Sequence, residues 1–166
     1  FTMPSEAEWE KAARGGLQIL QTPITRQIRE GLALPENAAF VSNPSPERVF
    51  PWGDDNDPSR MNCDETGIGT ASAVGAFPTG VSLYGLLDVS GNVWEWTRSL
   101  RSDKFKYPYD PKDGREALDA PDNISRVLRG GSYFLNGRSA RCAARYWLDY
   151  PDLSSGFRVA ASPLLL

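Results

Sequence analysis

The chain contains no histidine. That absence removes the Ser-His-Asp triad, the Cys-His dyad and any His-ligated metal site. Its two cysteines, Cys63 and Cys142, are too few for a disulfide framework or a four-cysteine zinc site. What remains is oxygen donors and aromatic rings. The segment DVSGNVWE, from Asp88 to Glu95, offers oxygen at every second or third position. Oxygen-only donors on a turning backbone suit a hard cation of flexible geometry such as calcium. The alternative is that Asp88 and Glu95 pair with arginine. A second acidic group, Asp54, Asp55 and Asp57, reads as a solvated loop or an ion site.

The aromatic chemistry gathers further on. YFLN and YWLDY place Tyr133, Phe134, Leu135, Tyr146, Trp147, Leu148 and Tyr150 within two short stretches. Tyrosine and tryptophan give large contact area at small entropic cost and keep a polar tip, the chemistry of antibody loops. Core packing is the competing role, evenly weighted for Tyr133 and Trp147. Polar neighbours tilt Phe134, Leu135 and Tyr146 toward a surface patch. Trp94 and Trp96 flank Glu95 on the opposite strand face and read as core, as does Trp52.

The elements that position these groups are few. Ser5 is a good helix N-cap, with Glu8 at the capping-box position, and Gly15-Gly16 closes the helix. Trp9 and Ala12-Ala13 lie three and four residues apart, so they share its buried face. Beyond Phe50 the 3.6-residue period vanishes and glycine or proline recurs every few residues, which means successive turns. Val93–Thr97 alternates as a strand. RVLRGGSY reads as a strand meeting a bend softened by Gly130-Gly131, and ARCAARYWL and GFRVAAS read as two more short strands. Residues 17–50 read as an inserted loop in which ITRQIREGLAL could form a short amphipathic helix.

With 166 residues, 40% hydrophobic and 23% charged, the chain is one domain's worth and can bury a core. The net charge of −3 argues against nucleic-acid binding by the whole chain. No apolar run approaches the ~18 residues that cross a bilayer. The opening FTMPSEAEWE lacks the basic start and apolar stretch of a signal peptide, which leans the location toward the cytoplasm. Residues 126–166 hold six Arg and two Asp, so this last quarter is basic while the rest is acidic. Pairing of those arginines with the carboxylates of the preceding loops is the simplest account.

PSEAEWEKAARGG, FPWGDD, AVGAFPTGVSLYGLLDVSGNVWEWTRS, RVLRGGSY, RCAAR and GFRVA occur in that order. The series resembles the formylglycine-generating-enzyme (sulfatase-modifying factor) family over nearly the whole chain except residues 17–50. The resemblance implies an α+β, C-type-lectin-like fold, loop-rich, with short antiparallel strands and one clear N-terminal helix. It also implies that residues 1–166 are a single domain, the C-terminal portion of a longer one that carries further chain or a fused domain ahead of the helix.

Active members of that family oxidise a substrate cysteine with copper and molecular oxygen, using two cysteines shortly after GGS. Here Leu135 stands at the first of these positions and FLNGRSA offers no counterpart to the second. Leucine has no soft ligand atom, so no copper is expected. The sub-branch that fits better is the variable proteins of diversity-generating retroelements, whose C-terminal segment is hypermutated at adenines. Residues 126–160 look like such a segment. Phe134, Leu135, Asn136, Ser139, Tyr146, Leu148, Asp149, Tyr150, Leu153, Ser154 and Ser155 are all encodable by changing adenines of an Asn codon; Trp147 is not. With Tyr133 and Trp147 these form the expected ligand-binding surface for a protein or other macromolecule.

Relatives also imply calcium held by the Asp88 side chain, the Gly91 and Val93 carbonyls and the Glu95 carboxylate. A weaker second set is Asn62, the Cys63 carbonyl, Thr66 and the Ile68 carbonyl, where Thr66 replaces an aspartate. The functional expectation is a non-catalytic, receptor-type binding protein. The alternatives are an oxidase with an atypical site and a regulatory sensor module of a larger fusion protein.

Overall fold

The computed structural model describes residues 1–24 and 34–161. Helix α1 runs Glu6–Arg14. Ser5 accepts the Glu8 N–H at 3.1 Å, and the Ser5 N–H donates back to the Glu8 carboxylate at 2.7 Å. This reciprocal pair satisfies two of the orphan donors at the helix start. The helix ends at Gly15, whose φ of 85° a side chain would resist.

The core sheet has four strands: β3 (Trp94–Leu100), β4 (Arg126–Arg129), β5 (Tyr146–Leu148) and β6 (Ser155–Phe157), in the order β5-β4-β3-β6. β4 lies antiparallel to both β3 and β5. β6 instead runs parallel to β3, which corrects the expectation of antiparallel strands alone. A separate antiparallel pair joins β1 (Gln18–Leu20) to β2 (Phe40–Ser42). This pair lies inside 17–50, so that stretch is not loop throughout. Its strands are three residues long, too short for a period-2 pattern to show. Most of ITRQIREGLAL lies outside the described residues.

Alternation along β3 sorts the sheet into two faces. Glu95 pairs with Arg129, and both point at α1. Trp9, Ala13, Val89 and Cys142 fill the apolar space under the helix, with Leu86 packed against them. Trp96 pairs with Leu128 on the far face, where Trp94, Leu128 and Leu148 form a second cluster joined by Trp96 and Leu135. A third cluster, Phe50, Met61, Cys63 and Ala140, sits under the turn-rich segment, and Trp52 stacks on Phe50 at 5.3 Å.

The helix face is also ionic. Arg129 is 0% exposed, donates to Glu6 at 2.9 Å, to Glu10 at 2.6 Å and to the Cys142 carbonyl, and lies over the Trp9 ring. Arg145 also donates to both Glu6 oxygens. The expected arginine–carboxylate pairing is present, but the carboxylates come from α1 and β3 and not from the preceding loops, because the sheet carries the arginines back to the helix. Gly131, at φ 78°, leaves the strand with its Cα side pressed against Ala140, where a Cβ would meet the Ala140 backbone at 2.9 Å.

Candidate binding surface

Three stretches named from the sequence meet at one residue, Trp94, which is 5% exposed. Leu135, from the loop after Gly130-Gly131, packs on its cluster. Tyr146, on β5, stacks against its ring with centroids 5.4 Å apart. The Trp94 backbone N–H donates to the Ser154 carbonyl at 2.8 Å, so this third stretch is tied to the strand rather than to the indole. The 133–136 and 153–155 stretches and Tyr146 are thus brought to the far face of the sheet and its rim, whereas Trp147, opposite Val127, alternates to the helix side at the open edge of β5.

Exposure then separates the residues. Phe134, Asn136, Tyr146, Trp147, Asp149, Tyr150 and Leu153 are exposed, and Leu153 projects furthest. Tyr133, Leu135, Ser139 and Ser155 are half-buried. Tyr133 and Phe134 meet edge to face at 5.6 Å, and Tyr146 and Trp147 have centroids 6.2 Å apart. Two residues do not belong on the surface. Leu148 alternates inward from Trp147 and joins the Trp94 cluster at 8% exposure. Ser154 is buried because its hydroxyl donates to Asp152 while its carbonyl receives Trp94.

Two features of this surface were missed. Phe157 reads as core from its strand, yet it is 69% exposed. Its register opposite Trp96 places it on the binding face, at the open edge of β6. Arg101 lies over the Trp147 ring at 4.8 Å; the two are 46 positions apart and nothing in the sequence joins them.

The loop carrying Phe134 is anchored from outside. The Asp64 N–H donates to the Leu135 carbonyl at 3.0 Å, and the Gly137 N–H donates to both Glu65 oxygens. Backbone contacts of this kind do not depend on the side chains at 133–136. Glu65 is held below the usual carboxylate range, chiefly by the Cys63 thiol and the Gly137 N–H.

The expected cation ligands are turned to other uses. Asp88 and Asn92 take left-handed backbone, φ 55° and 67°, in the tight turn before β3, and Gly91 (φ 76°) packs on the Asn62 backbone. Glu95 accepts from Arg158 through both oxygens and from the Trp9 indole at 2.6 Å. Asp88 accepts the Gly75 N–H at 2.7 Å. A guanidinium thus stands where a cation would need to be, and Asp88, Gly91, Val93 and Glu95 do not fit a calcium ion in this arrangement. At the second set, the Thr66 hydroxyl is 2.6 Å from the Cys63 carbonyl and 3.3 Å from the Asn62 side-chain oxygen, so it supplies the donor those acceptors need. Ile68 is exposed. Among the described residues no group of three His, Cys, Asp or Glu could hold a metal.

Neither thiol is poised for chemistry. Burial, helped by Glu65, pushes Cys63 up to about 11. Burial pushes Cys142 up to about 12. Protonated, buried thiols are poor nucleophiles and poor metal ligands. Among the described residues no helix is long and apolar enough to cross a membrane.

Comparison with known proteins follows the same lines. A family profile described as "Sulfatase-modifying factor enzyme 1-like domain" matches residues 1–163. The chain is 31% identical to the formylglycine-generating enzyme of Bos taurus over 98% of this chain and 39% of that protein. It is 32% identical to the inactive C-alpha-formylglycine-generating enzyme 2 of Bos taurus over 94% of this chain and 35% of that one. It is also similar to the serine/threonine-protein kinase Pkn1 of Chlamydia trachomatis, at 31% identity over 95% of this chain and 20% of the kinase. The chain therefore spans well under two thirds of these relatives. Among solved structures, Treponema denticola variable protein 1 superposes with a TM-score of 0.63 at 21% identity, over 93% of this chain and 45% of that one. The likeness shows a shared fold.

Proposed function

We propose, from the premise that this chain belongs to the sulfatase-modifying factor enzyme 1-like family, that it is a non-catalytic binding domain of the variable-protein type. Its ligand is a protein or other macromolecule, taken up on the far face of the sheet. The observation that carries the reading is the convergence on Trp94. Three separate stretches reach one surface, and their exposed members are Phe134, Asn136, Tyr146, Asp149, Tyr150 and Leu153, with Trp147 at the adjoining sheet edge. Exposed tyrosine and tryptophan beside adaptable polar residues suit recognition of a macromolecule. The variable-protein name of the structural neighbour and the inactive paralogue among the relatives support this reading. Similarity to part of a kinase supports a fused module as one setting for the domain.

The enzyme reading draws support from the relatives named as formylglycine-generating enzymes. It would need a thiolate site, which Leu135 does not supply and which buried, protonated Cys63 and Cys142 cannot replace. The test is a library diversified at Phe134, Asn136, Tyr146, Asp149, Tyr150 and Leu153 and selected against several unrelated proteins. Folded members that bind different targets through this face support the proposal. Failure of most members to fold refutes it. So does conversion of a cysteine-containing sulfatase peptide to its aldehyde above the level without protein, with or without copper.

A further inference from the structure

On the far side of α1 from the binding surface lies a cleft of about 370 Å³ that the proposed function does not use. Its walls are Ala7, Leu17, Pro46 and the rings of Tyr107 and Tyr109, and its floor is the polar side of α1 with Glu6, Glu10, Lys11 and Arg14. The volume is at the small end of the range for ligand sites, where apolar walls carry a few placed polar groups.

The charges around it do not balance. Glu6 and Glu10 receive three guanidiniums, from Arg14, Arg129 and Arg145. Glu6 is 2% exposed and already accepts from Arg129, Arg145 and the Tyr107 hydroxyl, so it offers nothing to an incoming cation. Lys11 adds a further positive charge with no carboxylate partner among the described residues. Glu47 and Arg48, next to Pro46 in the chain, offset each other. Arg14 places one N–H on Glu10, while its Nε is buried and has no acceptor among the described residues. All of this lies at the C-terminal end of α1, next to Gly15 and Gly16, where the helix dipole opposes an anion and Lys11 and Arg14 must outweigh it.

We propose that this cleft binds a small carboxylate on an apolar, ring-sized body. The carboxylate would sit by Lys11 and Arg14, and the body between Leu17, Pro46 and the two tyrosine rings. The proposal is independent of the surface around Trp94, since no residue lining the cleft belongs to that surface.

The test uses three probes of one shape: phenylacetate, its cationic counterpart phenethylamine and neutral benzyl alcohol. Each is titrated to ~10 mM against the whole chain while backbone amide resonances are followed. Phenylacetate should move the Gly15, Gly16 and Leu17 amides saturably, and the amine should not. Lys11→Glu should weaken phenylacetate by about three- to fivefold, the range an exposed ion pair supports. Lys11→Gln should fall between, and Tyr107→Ala should weaken all uncharged contact. Trp147→Ala, outside the cleft, should leave the titration unchanged. Equal shifts from the amine, an unaltered response in Lys11→Glu, or no shift at Gly15–Leu17 would each overturn the proposal without touching the binding-surface reading.

Discussion

If the Trp94 indole holds the Leu135 and Tyr146 stretches in place, truncating it should damage both the fold and that part of the surface, while the backbone bond to Ser154 remains. Its side chain is 5% exposed, packs with Leu128 and Leu148, and stacks on Tyr146 at 5.4 Å. Removing a buried indole costs about 3–5 kcal/mol from lost transfer energy and the cavity left behind. Loss of the Tyr146 stack falls within that range, since an aromatic pair adds about 0.5–1.5 kcal/mol. For a chain of this length each kcal/mol moves the thermal midpoint by about 2–4 °C, so Trp94→Ala should lower it by about 6–20 °C. Calorimetry measures that shift, and near-ultraviolet circular dichroism at 20 °C reports whether the aromatic cluster loosens first. Phe134→Ala, at 51% exposure, is the paired control and should move the midpoint by no more than about 2 °C. If Trp94→Ala and Phe134→Ala melt within 2 °C of each other, Trp94 is not the meeting point and the convergence argument fails.

Other outcomes follow from the same contacts. Leu148→Ala should destabilise by about 2–5 kcal/mol, read by urea unfolding, whereas Tyr150→Ala and Leu153→Ala should each stay within about 0.5, because only Leu148 faces the core. Glu6→Ala removes the buried carboxylate shared by Arg129 and Arg145, leaving Arg129 with Glu10 and the Cys142 carbonyl, and should cost about 3 kcal/mol in the same assay. Cys63 and Cys142, raised to about 11 and about 12 from an ordinary 9.0, should resist a thiol reagent at pH 8 until the protein unfolds. The sign for stability agrees: the raised values leave it intact below pH 9.0 and erode it as pH climbs toward 11–12, where the unfolded thiols ionise first. Melting curves with calcium and with chelator should coincide, since Arg158 fills Glu95; a midpoint raised by calcium would restore the cation reading.

The readable parts of the sequence were those set by neighbours along the chain. Ser5 and Glu8 cap one another across three residues, so the start of α1 is legible without the fold. The alternation of Val93 to Thr97 gave β3 and the opposed faces of Trp94 and Glu95, although the strand continues to Leu100. What was illegible depends on partners distant in sequence. β5 has three residues, and only its pairing with β4 decides that Tyr146 and Leu148 share the far face, with Leu148 buried in the Trp94 cluster, while Trp147 turns to the other side at the open edge. Phe157 looks like core beside Gly156, and it is exposed because β6 ends the sheet. Glu95 looked like a cation ligand from its spacing. Its actual partner, Arg158, lies 63 positions on and reaches it only because β6 runs parallel to β3.

The uneven charge of the chain acquires a structural meaning through those same arginines. Arg129 and Arg145 tie the C-terminal quarter to α1, more than a hundred residues away, and Arg158 ties it to β3. Arg126 is spent on the Arg98 carbonyl. None of these contacts involves an exposed side chain of the 133–136 or 146–153 stretches. Burying charge is expensive, and a buried ion pair often does no better than a well-packed apolar replacement, so such pairs are weak devices for stability alone. They do fix which strand lies against which helix, because a slipped register would leave Arg129 or Glu6 buried without a partner. A frame specified this way leaves the outward positions free to differ. Arg138 and Arg141 stay exposed on the turn beside Asn136, without a carboxylate partner among the described residues, and carry the remaining positive charge to the edge of the binding face. Substituting them should therefore alter the rate and salt dependence of ligand capture while leaving the fold as it was.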